Sequence, residues 1–172
     1  MSAASASPRL HVDFRVLDPA WRQDLPDAAT LCRRAARAAF RRAAESPSAA
    51  EVAVVLSDDA SVRGLNRRFR GIDRTTNVLA FPAGNGRARP RQPRLLGDVV
   101  LARGRVTREA ARQGKDLAAH VSHLVVHGVL HLLGHDHQGE PEAKMMEGLE
   151  VAVLAALGVA NPYRTTATGR RS

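Results

Sequence analysis

His127, His131, His135 and His137 place four of the chain's seven histidines within one short stretch, HGVLHLLGHDH. On an α-helix, residues four apart project from one face about a turn apart, so His127 and His131 can aim ring nitrogens at a common point. Gly134 can take positive φ at little cost, which lets the chain leave the helix and return His137 towards that point. Three imidazoles with no cysteine suit zinc, one ion per chain, with a fourth position open for water or substrate as in catalytic sites.

The intervening residues qualify this reading. Asp136 and His135 could close the coordination sphere and make the site structural; alternatively Asp136 orients a ligand imidazole through its far N–H. His120 and His123 precede His127 by seven and four residues and share roughly its stripe. His120 reads as a packed or hydrogen-bonded histidine, while His123 stands between that role and a place beside the ligands. The spacing H-x-x-x-H-x-x-G-x-x-H is also the skeleton of zinc proteases whose second motif residue is a glutamate base. Here that residue is Gly128, which counts against peptide hydrolysis.

Several elements must position this cluster. RLHVDFRVLD alternates around Leu10, Val12, Phe14 and Val16, predicting a strand that ends before Pro19. A helix is expected from Pro26, with Leu31, Ala35, Ala38 and Phe40 inward and an arginine-rich remainder that is either a solvated face or an RNA-binding surface. AEVAVVLS reads as a strand, Asp58 or Asp59 as the cap of the next helix, and Gly71 with IDRTTN as the turn into the strand VLAF. PAGNGRARPRQPR is expected to be a mobile loop, either a tolerated insertion or a basic flap. LLGDVVLAR reads as a strand and GRVTREAARQGK as a helix. The histidine helix is capped by Asp116 and stopped by Gly134, and a last helix runs from near Glu140 to Leu157.

Composition bounds the class. A chain of 172 residues is about one domain, expected over residues 9–163 with disordered tails at 1–8 and 164–172. Cys32 is the sole cysteine, so no intrachain disulfide can form, and MSAASASPRL lacks a secretory core; a cytoplasmic protein is expected. LEVAVLAALGVA is broken by Gly158 and falls far short of the ~20 apolar residues that span a bilayer, so no membrane association is expected. A net charge of +9 favours a polyanionic partner, although all but two of the 26 basic residues are arginine, as a GC-rich coding bias would also produce.

LNRRFRGIDRTTNVLAFP, LLGDVVLA, HLVVHGVLHLLGHDH and MEGLEVAVLAALGVANPY together resemble the YbeY family of bacterial metal-dependent endoribonucleases, over a span from about Leu10 to Tyr163. The resemblance implies an α+β fold, a small mixed β-sheet flanked by helices, zincin-like, with the metal-site helix in the C-terminal half. It implies zinc on His127, His131 and His137, and a functional arginine at Arg70. Asp136, His123 and Asn77 are candidates to support the ligands or touch substrate. Ala80 stands where the family often has serine, so no role can be carried over for that hydroxyl.

The implied activity is single-strand-specific, metal-dependent endoribonuclease cleavage in rRNA processing, maturing the 3′ end of small-subunit (16S) rRNA, with a role in ribosome quality control. The implied partners are ribosomal RNA, the small ribosomal subunit and an assembly GTPase. The attacking group is water or the neighbouring ribose hydroxyl, a route that RNA offers and DNA does not. With aromatics at 3% of the chain and Trp21 and Tyr163 far apart, no stacking platform is expected, and recognition should be mainly electrostatic. The competing readings are a non-catalytic, metal-stabilised ribosome assembly factor and a zinc peptidase.

Overall fold

The computed structural model describes residues 9–46, 48–84, 91–136 and 138–164. The segment 1–8, Pro47, the centre of the basic loop (85–90), His137 and 165–172 lie outside the described residues.

Strand β1 (Leu10–Val16) buries Leu10 and Val12, as the alternation predicts. A one-turn helix not foreseen from sequence, α1 (Trp21–Asp24), follows. It exists to carry Trp21 inward: the ring is fully buried and its indole N–H donates to the Ser57 carbonyl at 2.8 Å. Helix α2 (Ala28–Ala43) starts just after Pro26 and turns a small-residue face inward, with Ala35, Ala36 and Ala39 wholly buried. Strand β2 (Ala50–Ser57) leads to Asp58, whose Oδ1 accepts the Ser61 N–H at 2.6 Å and caps α3 (Asp59–Arg70).

The rest of the chain is β3 (Val78–Pro82), β4 (Arg94–Ala102), α4 (Arg103–Arg112), α5 (Leu117–Leu132) and α6 (Glu140–Ala156). Asp116 takes the N-cap position of α5, but its side chain accepts no capping hydrogen bond, so that part of the expectation is corrected.

The sheet order is β1-β2-β4-β3, with β1, β2 and β4 mutually parallel and β3 antiparallel to β4. This is the expected small mixed sheet of an α+β fold. At Gly97 the β2–β4 register shifts and φ is +135°; a Cβ there would lie 2.0 Å from the Phe81 carbonyl oxygen, so only glycine lets β3 approach. One sheet face packs Val52, Val54, Leu56, Val99 and Leu101 into the main core with α2, α5 and α6. The other carries α3, whose Val62 joins Leu79, Val100 and Ala102 in a smaller cluster. Both faces of β2 and β4 are thereby covered, which suits their near-continuous apolar sequence. No helix among the described residues is long and apolar enough to cross a membrane.

Candidate metal centre

Helix α5 lies across the sheet and is pressed close to it at Gly128. A Cβ at that position would stand 2.7 Å from Val99 Cγ1, so the glycine is where helix and strand meet. Because residue 128 faces the sheet, a glutamate there would enter the core, and the structure agrees with the expectation against a protease base.

One residue back and three residues on, His127 and His131 are half-buried on α5. The helix then ends as the motif requires. Gly134 has φ +100°, its N–H bonds the His131 carbonyl at 3.0 Å, and the His135 N–H bonds the Leu130 carbonyl at 3.1 Å. This is the paired hydrogen bonding of a Schellman turn, which redirects the chain through exposed Asp136 towards His137. His137 itself lies outside the described residues, and among those described no three His, Cys, Asp or Glu side chains are gathered as a metal-holding group.

A carboxylate that the sequence did not advertise organises the histidines. Glu150 of α6 is wholly buried; its Oε1 lies 2.5 Å from His127 Nδ1 and its Oε2 lies 2.9 Å from His123 Nε2. The Tyr163 hydroxyl also donates to Oε2. Burial alone would raise the carboxyl pKa, but the hydrogen bonds from His123, His127 and Tyr163 and the charge of His127 outweigh it and lower the pKa to about 2. The Tyr163 hydroxyl moves the other way, raised by burial and then by its carboxylate neighbour. A carboxylate engaging Nδ1 of His127 is an arrangement characteristic of metal-binding imidazoles that present Nε2 to an ion. The residues therefore fit zinc, with His127 and His131 as holders on one helix face.

A second buried carboxylate does structural work alongside. Glu109 of α4 receives Asn77 Nδ2 at 3.0 Å and Arg105 Nε at 3.0 Å, and its Oε2 lies 3.1 Å from His120 Nε2. Burial pushes its pKa up, yet the Asn77, His120 and Arg105 hydrogen bonds hold it below the usual value. Burial lowers His120, outweighing the pull of Glu109, so the ring is held neutral. Asn77 also accepts the Val78 N–H at 2.7 Å, so both ends of its amide tie the start of β3 to α4. His120 is thus a hydrogen-bonded helix-face histidine, as expected, whereas His123 stands beside His127 and shares its carboxylate. A cleft of about 890 Å³ opens along this side of α5, with Asn77, Lys115, His120, His123 and Tyr163 in its lining.

Arg70 ends α3 at the solvent surface, on a different element from the histidines of α5. Its surroundings are nonetheless fixed. Gly71 takes φ +70° to stop the helix, Asn66 Nδ2 donates to the Arg74 carbonyl at 2.9 Å, and Arg63 pairs with Asp73 at 2.8 Å. Next to it Phe69 is 60% exposed, with the Arg68 guanidinium 5.4 Å from its ring centre.

Sequence reasoning missed Glu150, Glu109 and Tyr163. The signal was present for the first two: Met146, Glu150, Val153 and Leu154 form one buried stripe of α6, and Val106, Glu109 and Ala110 one of α4. An acid inside an apolar stripe is rare unless it is paired.

Residues 21–158 match the family model described as Endoribonuclease YbeY. A protein of that name from Paramagnetospirillum magneticum is 50% identical over 84% of this chain and 90% of its own length. The Endoribonuclease YbeY of a Bradyrhizobium species is 48% identical over 82% and 85%, and that of Azorhizobium caulinodans 45% over 93% and 100%. The solution structure of a Thermotoga maritima protein is similar in fold, with a TM-score of 0.53 at 20% identity, over 93% of this chain and 99% of that one.

Proposed function

The chain belongs to the YbeY endoribonuclease family, and from that premise we propose that it is a zinc-dependent endoribonuclease that cuts single-stranded RNA. Its place is the maturation of the 3′ end of small-subunit (16S) rRNA and ribosome quality control, on the small subunit and with an assembly GTPase as partner. The observation that supports the metal reading is the His127–Glu150 pair, in which a buried carboxylate engages Nδ1 of one motif imidazole one turn from His131. The third holder is His137. Bound zinc supplies Lewis acidity towards a phosphoryl oxygen and a lowered pKa for water in the site.

The chain's own residues do the rest. Glu150 holds the His127 ring in place, and Asn77 with Glu109 fixes the strand edge beside the cleft. Arg70 offers a planar, permanently charged donor array to the equatorial phosphoryl oxygens, whose charge grows in the transition state. The RNA strand would run in the cleft along α5, whose lining includes His120 and His123. Gly128, buried against Val99, leaves peptide hydrolysis without its base.

The test is to incubate the purified protein, with zinc, with a 3′-extended small-subunit precursor and map the ends produced, alongside a fully paired duplex and casein. Cutting near the mature 3′ end, with the duplex and casein untouched, is expected. Cleavage of the duplex at the same rate, or of casein, would contradict the reading.

A further inference from the structure

We infer that Glu150 is a positioning residue that locks the tautomer of His127, and that Tyr163 clamps it from the C-terminal segment. The inference rests on the metal reading above. Three donors converge on one carboxylate: His127 at Oε1, and His123 and Tyr163 at Oε2. A carboxylate faced by three such groups accepts from them, so each neutral imidazole facing it carries its proton on the nitrogen that points at it. That puts the His127 proton on Nδ1 and the ring's lone pair on Nε2. The same logic puts the His123 proton on Nε2, and its Nδ1 is buried without a hydrogen-bond partner. His123 is therefore spent on holding Glu150.

Tyr163 extends the lock to a distant part of the chain. The segment after α6 turns at Gly158, φ +77°, and runs back over α5, where Lys115 Nζ donates to the Pro162 carbonyl at 2.9 Å. The Tyr163 ring then packs edge-on to His123, centroids 5.5 Å apart, and its hydroxyl donates to Oε2 of the carboxylate. Docking of residues 159–163 is thereby part of what readies His127 for metal.

The test reads the lock without RNA. Long-range proton–nitrogen NMR of the metal-free chain at alkaline pH should find His127 protonated on Nδ1. Zinc affinity, measured against a chromophoric chelator, should fall about 10- to 100-fold in Glu150→Gln, as for other residues that orient metal ligands. In Tyr163→Phe, which keeps the ring packing, it should fall roughly 3- to 10-fold while the metal-free melting temperature stays at the wild-type value. A His127 proton on Nε2 in the wild type overturns the assignment. So does a folded Glu150→Gln, or a Tyr163→Phe chain if Glu150→Gln does not fold, that takes up zinc as tightly as wild type. A wild type that takes up no zinc would overturn the metal reading itself, and the tautomer spectrum, which needs no metal, tells the two failures apart.

Discussion

Arg70 and Cys32 separate what a side chain does from what it holds up. Arg70 is exposed at the end of α3, so Arg70→Ala should leave thermal stability within about 0.5 kcal/mol of wild type. If its guanidinium meets the phosphoryl oxygens, the same change should slow RNA cleavage about 100-fold, as loss of a single transition-state donor does. An Arg70→Ala protein that cleaves at the wild-type rate would remove the residue from the mechanism. Cys32 is the opposite case. It is fully buried on the inner face of α2, and burial pushes its thiol up to about 12, partly countered by Arg33. The native protein should therefore resist thiol reagents that label it at once in denaturant.

At the scale of elements, two glycines set how α5 presents its imidazoles. Gly134→Ala meets no steric obstacle but must adopt φ +100°, so it should cost about 1–2 kcal/mol from backbone strain alone. Gly128→Ala should cost about 1–3 kcal/mol for a different reason, the displacement of Val99 beneath the helix. Chemical denaturation measures both, and a neutral Gly128→Ala would mean that helix and strand are less closely apposed. The Glu109 link between β3, α4 and α5 carries a pH signature. Its folded pKa lies below the ordinary 4.5, so the unfolded chain binds the proton first. The stability it contributes is complete above the ordinary value and is lost as pH falls through the folded one, and Glu109→Gln should flatten that part of the acid limb. What was legible in the sequence follows the same division. The Gly134 turn and the Asp58 cap are local, set by backbone conformation and helix capping, and they appear where the sequence put them; His127 and His131 fall one turn apart on α5. The Glu150 contacts were not legible because they bring α6 onto α5 across 23 residues of chain, a matter of packing. The placement of β4 between β2 and β3, and the inward role of Trp21, were hidden for the same reason.

For the whole molecule, a net charge of +9 meets a polyanionic substrate, with Arg67, Arg68 and Arg70 exposed together on α3 and Arg34, Arg37, Arg41 and Arg42 on α2. Affinity for single-stranded RNA should fall with salt on logarithmic axes, with a slope of about −0.7 for each phosphate neutralised. A flat salt dependence would show that the arginines serve solubility alone. The central claim, that RNA is cut at a metal held by the α5 histidines, is tested most directly by one parallel assay. Wild type and His131→Ala are incubated with the same single-stranded precursor rRNA fragment, each with and without a chelator. The account predicts cleavage by untreated wild type only, restored to the chelated sample by added zinc. Equal cutting by wild type and His131→Ala, or cutting by wild type that survives the chelator, would contradict it.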